Sequence, residues 1–112
     1  MDNKKNDKYF ASKAIEQIDI INKYALNKTY KEFLSDEKLI DAIMFRLIQL
    51  VENVKNISST FKEENPEIPW GKIMGFRNGI VHEYGSTDYT IVYEVVTSSL
   101  TPLKKVLEKI EH

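Results

Sequence analysis

Eight residues, Arg77 to Tyr84 (RNGIVHEY), gather an arginine, an amide, a histidine and a phenol in a chain otherwise written in lysine, glutamate and aliphatics. The planar fork of an arginine suits bidentate recognition of an anion. A histidine, with an unperturbed pKa of about 6.5, can give or take a proton near neutral pH. At about 100° per helical residue, Trp70, Ile73, Met74, Ile80, Val81 and Tyr84 fall within one apolar arc, with Arg77 near its middle. A guanidinium facing a core must find a carboxylate, a set of carbonyls or a bound anion, because an unpaired buried charge is very costly. Asn78 and His82, one turn apart, share a face turned away from Arg77. Gly85 reads as the terminator of this helix.

The elements that must hold this stretch read as helices. From Tyr9 to about Asn27, Phe10, Ala11, Ala14, Ile15, Ile18, Ile21 and Ala25 recur at helical spacing. The segment 27–38 reads as a connection, with Ser35 as a cap and Asp36 and Glu37 favouring the next helix start. From Asp36 to about Ser58 the apolar stripe is wide enough for a central helix, or one shared with a second subunit. Residues 59–67 read as a polar connection, and Pro69 fits the first turn of the motif helix.

After a short turn, Asp88 or Thr87 is the cap of a last helix. Its start, DYTIVYEVVT, is β-rich by propensity, but a lone strand has no partner. Tyr89, Val92, Tyr93, Val96, Leu100, Leu103 and Leu107 form a helical stripe instead. Pro102 should kink or divide this helix near residues 99–101. The expected architecture is all-α: one domain over 1–112, an antiparallel bundle of four to five helices, with 1–8 frayed. The methionines Met44 and Met74 and the aromatics are read as core.

Composition narrows the function classes. Sixteen basic and 17 acidic residues leave a formal charge of −1, so no global basic field marks a passive nucleic-acid binder. The absence of cysteine excludes disulfides and thiol chemistry. No stretch is apolar enough for a membrane span and no signal peptide is read, so a cytoplasmic protein is expected. The two histidines, His82 and the terminal His112, are too far apart in sequence to suggest a metal site, and no cofactor is expected. Only Arg46 and Arg77 among the basic residues are arginines. Gly71, Gly75 and Gly79 recur along one side of the motif helix, which opens either a smooth groove or merely a tolerated run of weak helix formers.

The spacing of Arg77, His82 and Tyr84, with Asn78 after the arginine and PEIPW upstream, resembles the HepT-like toxins of the HEPN superfamily. The resemblance runs from Tyr9 to LTPLKKVLEKI, and Arg46 and Glu52 match residues common in that family. Val51 and Asn53 depart from its frequent glycine and alanine. The resemblance implies a bundle that dimerises to bring two motifs together over a cleft. It also implies a metal-independent ribonuclease that serves as a toxin, and a minimal nucleotidyltransferase antitoxin that transfers AMP onto the motif tyrosine, here Tyr84.

On that reading Arg77 and His82 are catalytic, Asn78 supports them, and Arg46 and Glu52 are structural or act at one remove. Arg77 has a plainer alternative, a structural ion pair with a buried glutamate such as Glu52. For the whole chain the alternatives are a catalytically silent nucleotide- or RNA-binding module and a helical adaptor.

Overall fold

The computed structural model describes residues 6–82 and 88–111, the side chains of residues 80–82 and 111 excepted. Among the described residues there is no strand, and the long passes are α1 (Asp7–Ala25), α3 (Glu37–Lys55), α5 (Trp70–His82) and a final run made of α6 (Tyr89–Glu94), a π-helical turn (Val95–Ser99) and α7 (Leu100–Glu111). Two short helices, α2 (Tyr30–Ser35) and α4 (Ser59–Glu64), occupy segments expected to be connections. The all-α bundle is therefore as expected. α1 packs most extensively on α3 and next on α7, and α5 lies against α3.

The core follows the stripes read in the sequence. Ile18 and Ile21 of α1, Ile40, Ile43, Leu47 and Val54 of α3, and Leu103 and Leu107 of α7 are buried in one cluster. Ala11 and Ala14 are fully buried on α1, and their small side chains let neighbouring helices come close. Phe33 brings α2 into the core and packs edge-on against Tyr93, ring centroids 5.1 Å apart. The aromatics are not all core: Tyr9, Tyr30 and Phe45 are exposed. Of the two methionines expected inside, Met44 is buried and Met74 only partly covered.

Local chemistry explains the extra helices. Thr29 and Glu32 form a reciprocal capping box, the Glu32 amide donating to Thr29 Oγ1 at 3.1 Å and the Thr29 amide to Glu32 Oε1 at 2.9 Å. This satisfies two of the free amides of α2. Ser35 donates back to the Lys31 carbonyl, and it is Asp36 that caps α3 by accepting from the Leu39 amide at 3.0 Å. Ser58 does not end α3 but caps α4, accepting from the Phe61 amide.

Asp88 caps α6 through the Thr90 amide, as its position suggested. The irregularity expected before Pro102 is the π turn at Val95–Ser99. A proline offers no amide and its ring crowds the carbonyl four residues back, here that of Ser98, so the backbone widens there.

The N-terminus is tied down earlier than expected. Asp7 opens α1, is buried, and accepts from the Ser58 amide at 2.8 Å and the Ser58 hydroxyl at 2.7 Å. The first turn of α1 is thereby fastened to the α3–α4 junction. No helix among the described residues is long and apolar enough to cross a membrane.

Candidate functional site

The helix that carries the motif is set in place by its entry. The indole N–H of Trp70 donates to the carbonyls of Lys62 (3.1 Å) and Asn65 (3.0 Å), and its ring meets Phe61 edge-on. Asn65 is itself buried; its amide group donates to the Phe61 carbonyl and its Oδ1 accepts from Lys109 Nζ. The Ile73 amide donates to the Pro69 carbonyl and starts the helical ladder just after the proline. Thus Asn65, Trp70 and Lys109 fix where α5 begins. Sequence reasoning singled out the Pro-Trp entry but gave Asn65 and Lys109 no role; an asparagine ahead of a proline was the available signal.

Beyond that anchor α5 is less buried than its apolar arc implied. Trp70, Ile73, Met74 and Phe76 are each only partly covered, and no residue from 70 to 79 is fully buried. Arg77 lies at the margin of the α3–α5 contact, not in the middle of a buried stripe. Its Nε stands 2.8 Å from Glu52 Oε1, with side chains 34% and 41% exposed respectively.

The Arg77 N–H is not aimed at that oxygen, so Nε makes no hydrogen bond and the contact is one of opposite charges. Arg77 Nη1 makes a long 3.4 Å contact with the exposed Asn78 Oδ1. The structure thus brings Glu52, Arg77 and Asn78 together. The ion pair with Glu52 named as the plainer alternative is present, but Glu52 is not buried as that alternative had it: the two side chains are partly exposed, although Arg77 Nε itself is covered.

Arg46 is turned elsewhere. Its Nη1 is 3.4 Å from Gln17 Oε1 on α1, and its guanidinium lies over the Phe45 ring. It thus bridges α1 and α3. His82 is the last residue of α5, one turn beyond Asn78 and five residues beyond Arg77; its side chain lies outside the described residues. Tyr84 and Gly85, the expected modification site and helix terminator, also lie outside the described residues, as does His112.

The glycine side of α5 is open: a Cβ built on Gly71, Gly75 or Gly79 meets nothing within 4 Å. An apolar cleft of about 420 Å³ lies between α3, α5 and the π turn, lined in part by Leu47, Val51, Ile73, Phe76 and Leu103. Neither Arg77, Glu52 nor Asn78 lines it. The charged group therefore lies outside that cleft, at the partly exposed margin of α3 and α5.

Residues 14–110 match the family model described as Ribonuclease HepT-like. A Thermococcus cleftensis protein named "Probable ribonuclease HepT" is 29% identical over 107 residues, 96% of this chain and 97% of that one. A Methanocaldococcus jannaschii protein named as a candidate RNase is 31% identical over 107 residues, 96% of this chain and 88% of its own length. Another named as a candidate RNase, from Caldanaerobacter subterraneus, is 30% identical over 82 residues, 73% of each chain. No solved structure matches the chain significantly.

Proposed function

Because this chain belongs to the HepT-like ribonuclease family, we propose that it is an endoribonuclease that cleaves RNA without a metal ion. The observation that carries the reading is the placement of Arg77: a guanidinium on α5, five residues before His82, on a side chain that is 34% exposed. In the proposed reaction the ribose 2′-hydroxyl gives up its proton and its oxygen attacks the adjacent phosphorus. The bond to the 5′-oxygen breaks, and that oxygen takes a proton. Arg77 holds the phosphate through two N–H groups and stabilises the charge that builds on its oxygens. His82 serves as acid or base, and Asn78 orients the substrate or the imidazole.

A single histidine cannot easily act as acid and base at once, so the working form is a homodimer with one His82 from each copy. The partly covered apolar residues of α5 and the open glycine side support an interface there. The enzyme acts in the cytoplasm as the toxin of a toxin–antitoxin pair. A nucleotidyltransferase antitoxin silences it: the Tyr84 hydroxyl attacks the α-phosphorus of ATP, pyrophosphate leaves, and the AMP left on the tyrosine places an anion beside Arg77.

The test is a gel of cellular RNA incubated in EDTA with the parent protein, with Arg77→Ala and with His82→Ala. Cleavage by the parent alone is expected. An unmodified, dimeric parent that binds RNA in a salt-dependent manner without cutting it would overturn the enzyme in favour of the binding module. Co-expression with the antitoxin should add the mass of AMP to the parent and none to Tyr84→Phe; equal addition to both would move the acceptor elsewhere.

A further inference from the structure

The glutamate beside Arg77 has no evident place in the proposed chemistry. A carboxylate 2.8 Å from the group that is to hold a phosphate repels that phosphate. It also adds little to folding, since ion pairs this exposed contribute at most about 1 kcal/mol. The packing of this part of α3 on the core is carried by the buried Val51 and Val54. Glu52 is thus unfavourable for binding and nearly neutral for stability, and its position calls for another reason.

The geometry supplies one. Glu52 Oε1 stands 2.8 Å from Nε, the inner corner of the Arg77 guanidinium. Nη1, at the edge that can grip a phosphate with two parallel bonds, lies 3.4 Å from Asn78 Oδ1. An arginine on an exposed helix surface otherwise samples many rotamers, and fixing it ahead of reaction removes that cost from the chemical step.

We propose that Glu52 is a positioning residue: it holds Arg77 from behind and presents the Nη edge toward the face of Asn78 and His82. This rests on the reading of Arg77 as the phosphate-binding group. The misaligned Nε–H of the free protein then tightens onto Glu52 when RNA is bound, as such contacts commonly do.

The experiment compares the parent with Glu52→Gln, which keeps the shape and removes the charge. Steady-state cleavage of a defined RNA should show kcat lowered by about ten- to a hundredfold. KM should be unchanged or lower, because a repelling carboxylate has gone. In the Arg77→Ala background the same change should cause no further loss. A merely structural glutamate would not lower kcat while leaving KM unchanged or lower, and parental kcat in Glu52→Gln would overturn the proposal.

A second measurement needs no activity. The chain has only two arginines, so its arginine Nε–H NMR spectrum is simple. The Arg77 signal should lose its order in Glu52→Gln while that of Arg46 stays. If the parent proves not to be a ribonuclease, this signal still decides the matter: an unchanged Arg77 resonance would sink the positioning role.

Discussion

Arg77→Ala separates a structural arginine from a catalytic one, because the two readings differ in size as well as in kind. The Arg77–Glu52 pair is a single 2.8 Å contact, with side chains 34% and 41% exposed. Double-mutant measurements on such pairs give about 0.2–1 kcal/mol once screening by water is included. Truncation should therefore cost about 1 kcal/mol of stability, a fall in melting temperature of about 4–8 °C for a domain near this size. Removing a charge-stabilising donor from a transition state costs far more, about a hundred- to a thousandfold in rate, or about 3–4 kcal/mol.

The expected result is a variant that melts a few degrees lower by far-UV circular dichroism, yet cleaves RNA at least about a hundredfold more slowly. Arg77→Lys, which keeps the charge but not the fork, should melt like the parent and recover only part of the rate. A loss of more than about 3 kcal/mol with cleavage falling only in proportion to the folded fraction would refute the argument, since that size belongs to a buried charge pair. So would cleavage at the parental rate.

Three further outcomes are expected. Asp7→Ala removes the buried acceptor of two hydrogen bonds from Ser58 and should lower stability by about 2–4 kcal/mol in urea unfolding; a change under about 0.5 kcal/mol would mean the first turn of α1 frays. Gly75→Ala places its Cβ in open space and should stabilise the monomer by about 0.5–1 kcal/mol. Gly75→Leu should weaken dimerisation or cleavage; normal sedimentation and activity would remove the glycine side from the interface.

The Glu32 carboxyl is held below its ordinary range, first by the hydrogen bond from the Thr29 amide and then by that from the Thr29 hydroxyl. With its folded pKa depressed, its contribution is fully present above the unfolded value of about 4.3 and is lost as pH falls through the folded one. A carbon-detected titration of Thr29→Ala should show the Glu32 value moving up; an unmoved value would dissociate it from the cap.

Much of the architecture was legible because helix formation is local. The stripes of α1 and α3, the cap at Asp88, the rejection of a strand at 88–97 and the break ahead of Pro102 all depend on residues three to five positions apart. The same locality made the motif readable, since the spacing of Arg77, Asn78 and His82 is a property of one helix. The capping box at Thr29 and Glu32 was equally local and passed unnoticed, because the segment lacks the long stripe that marks a helix.

What the chain order could not decide is how each helix is rotated against its neighbours. A change of one position turns a side chain by about 100°, so a few tens of degrees at the α3–α5 contact determine whether Arg77 is buried or marginal. Tertiary packing placed it at the margin, against Glu52 on another helix. In the same way it joined Asp7 to Ser58 across 51 residues and Lys109 to Asn65 across 44. Periodicity therefore determined which residues lie on one helix, while the packing angle between helices decided which charges meet and how far each is buried.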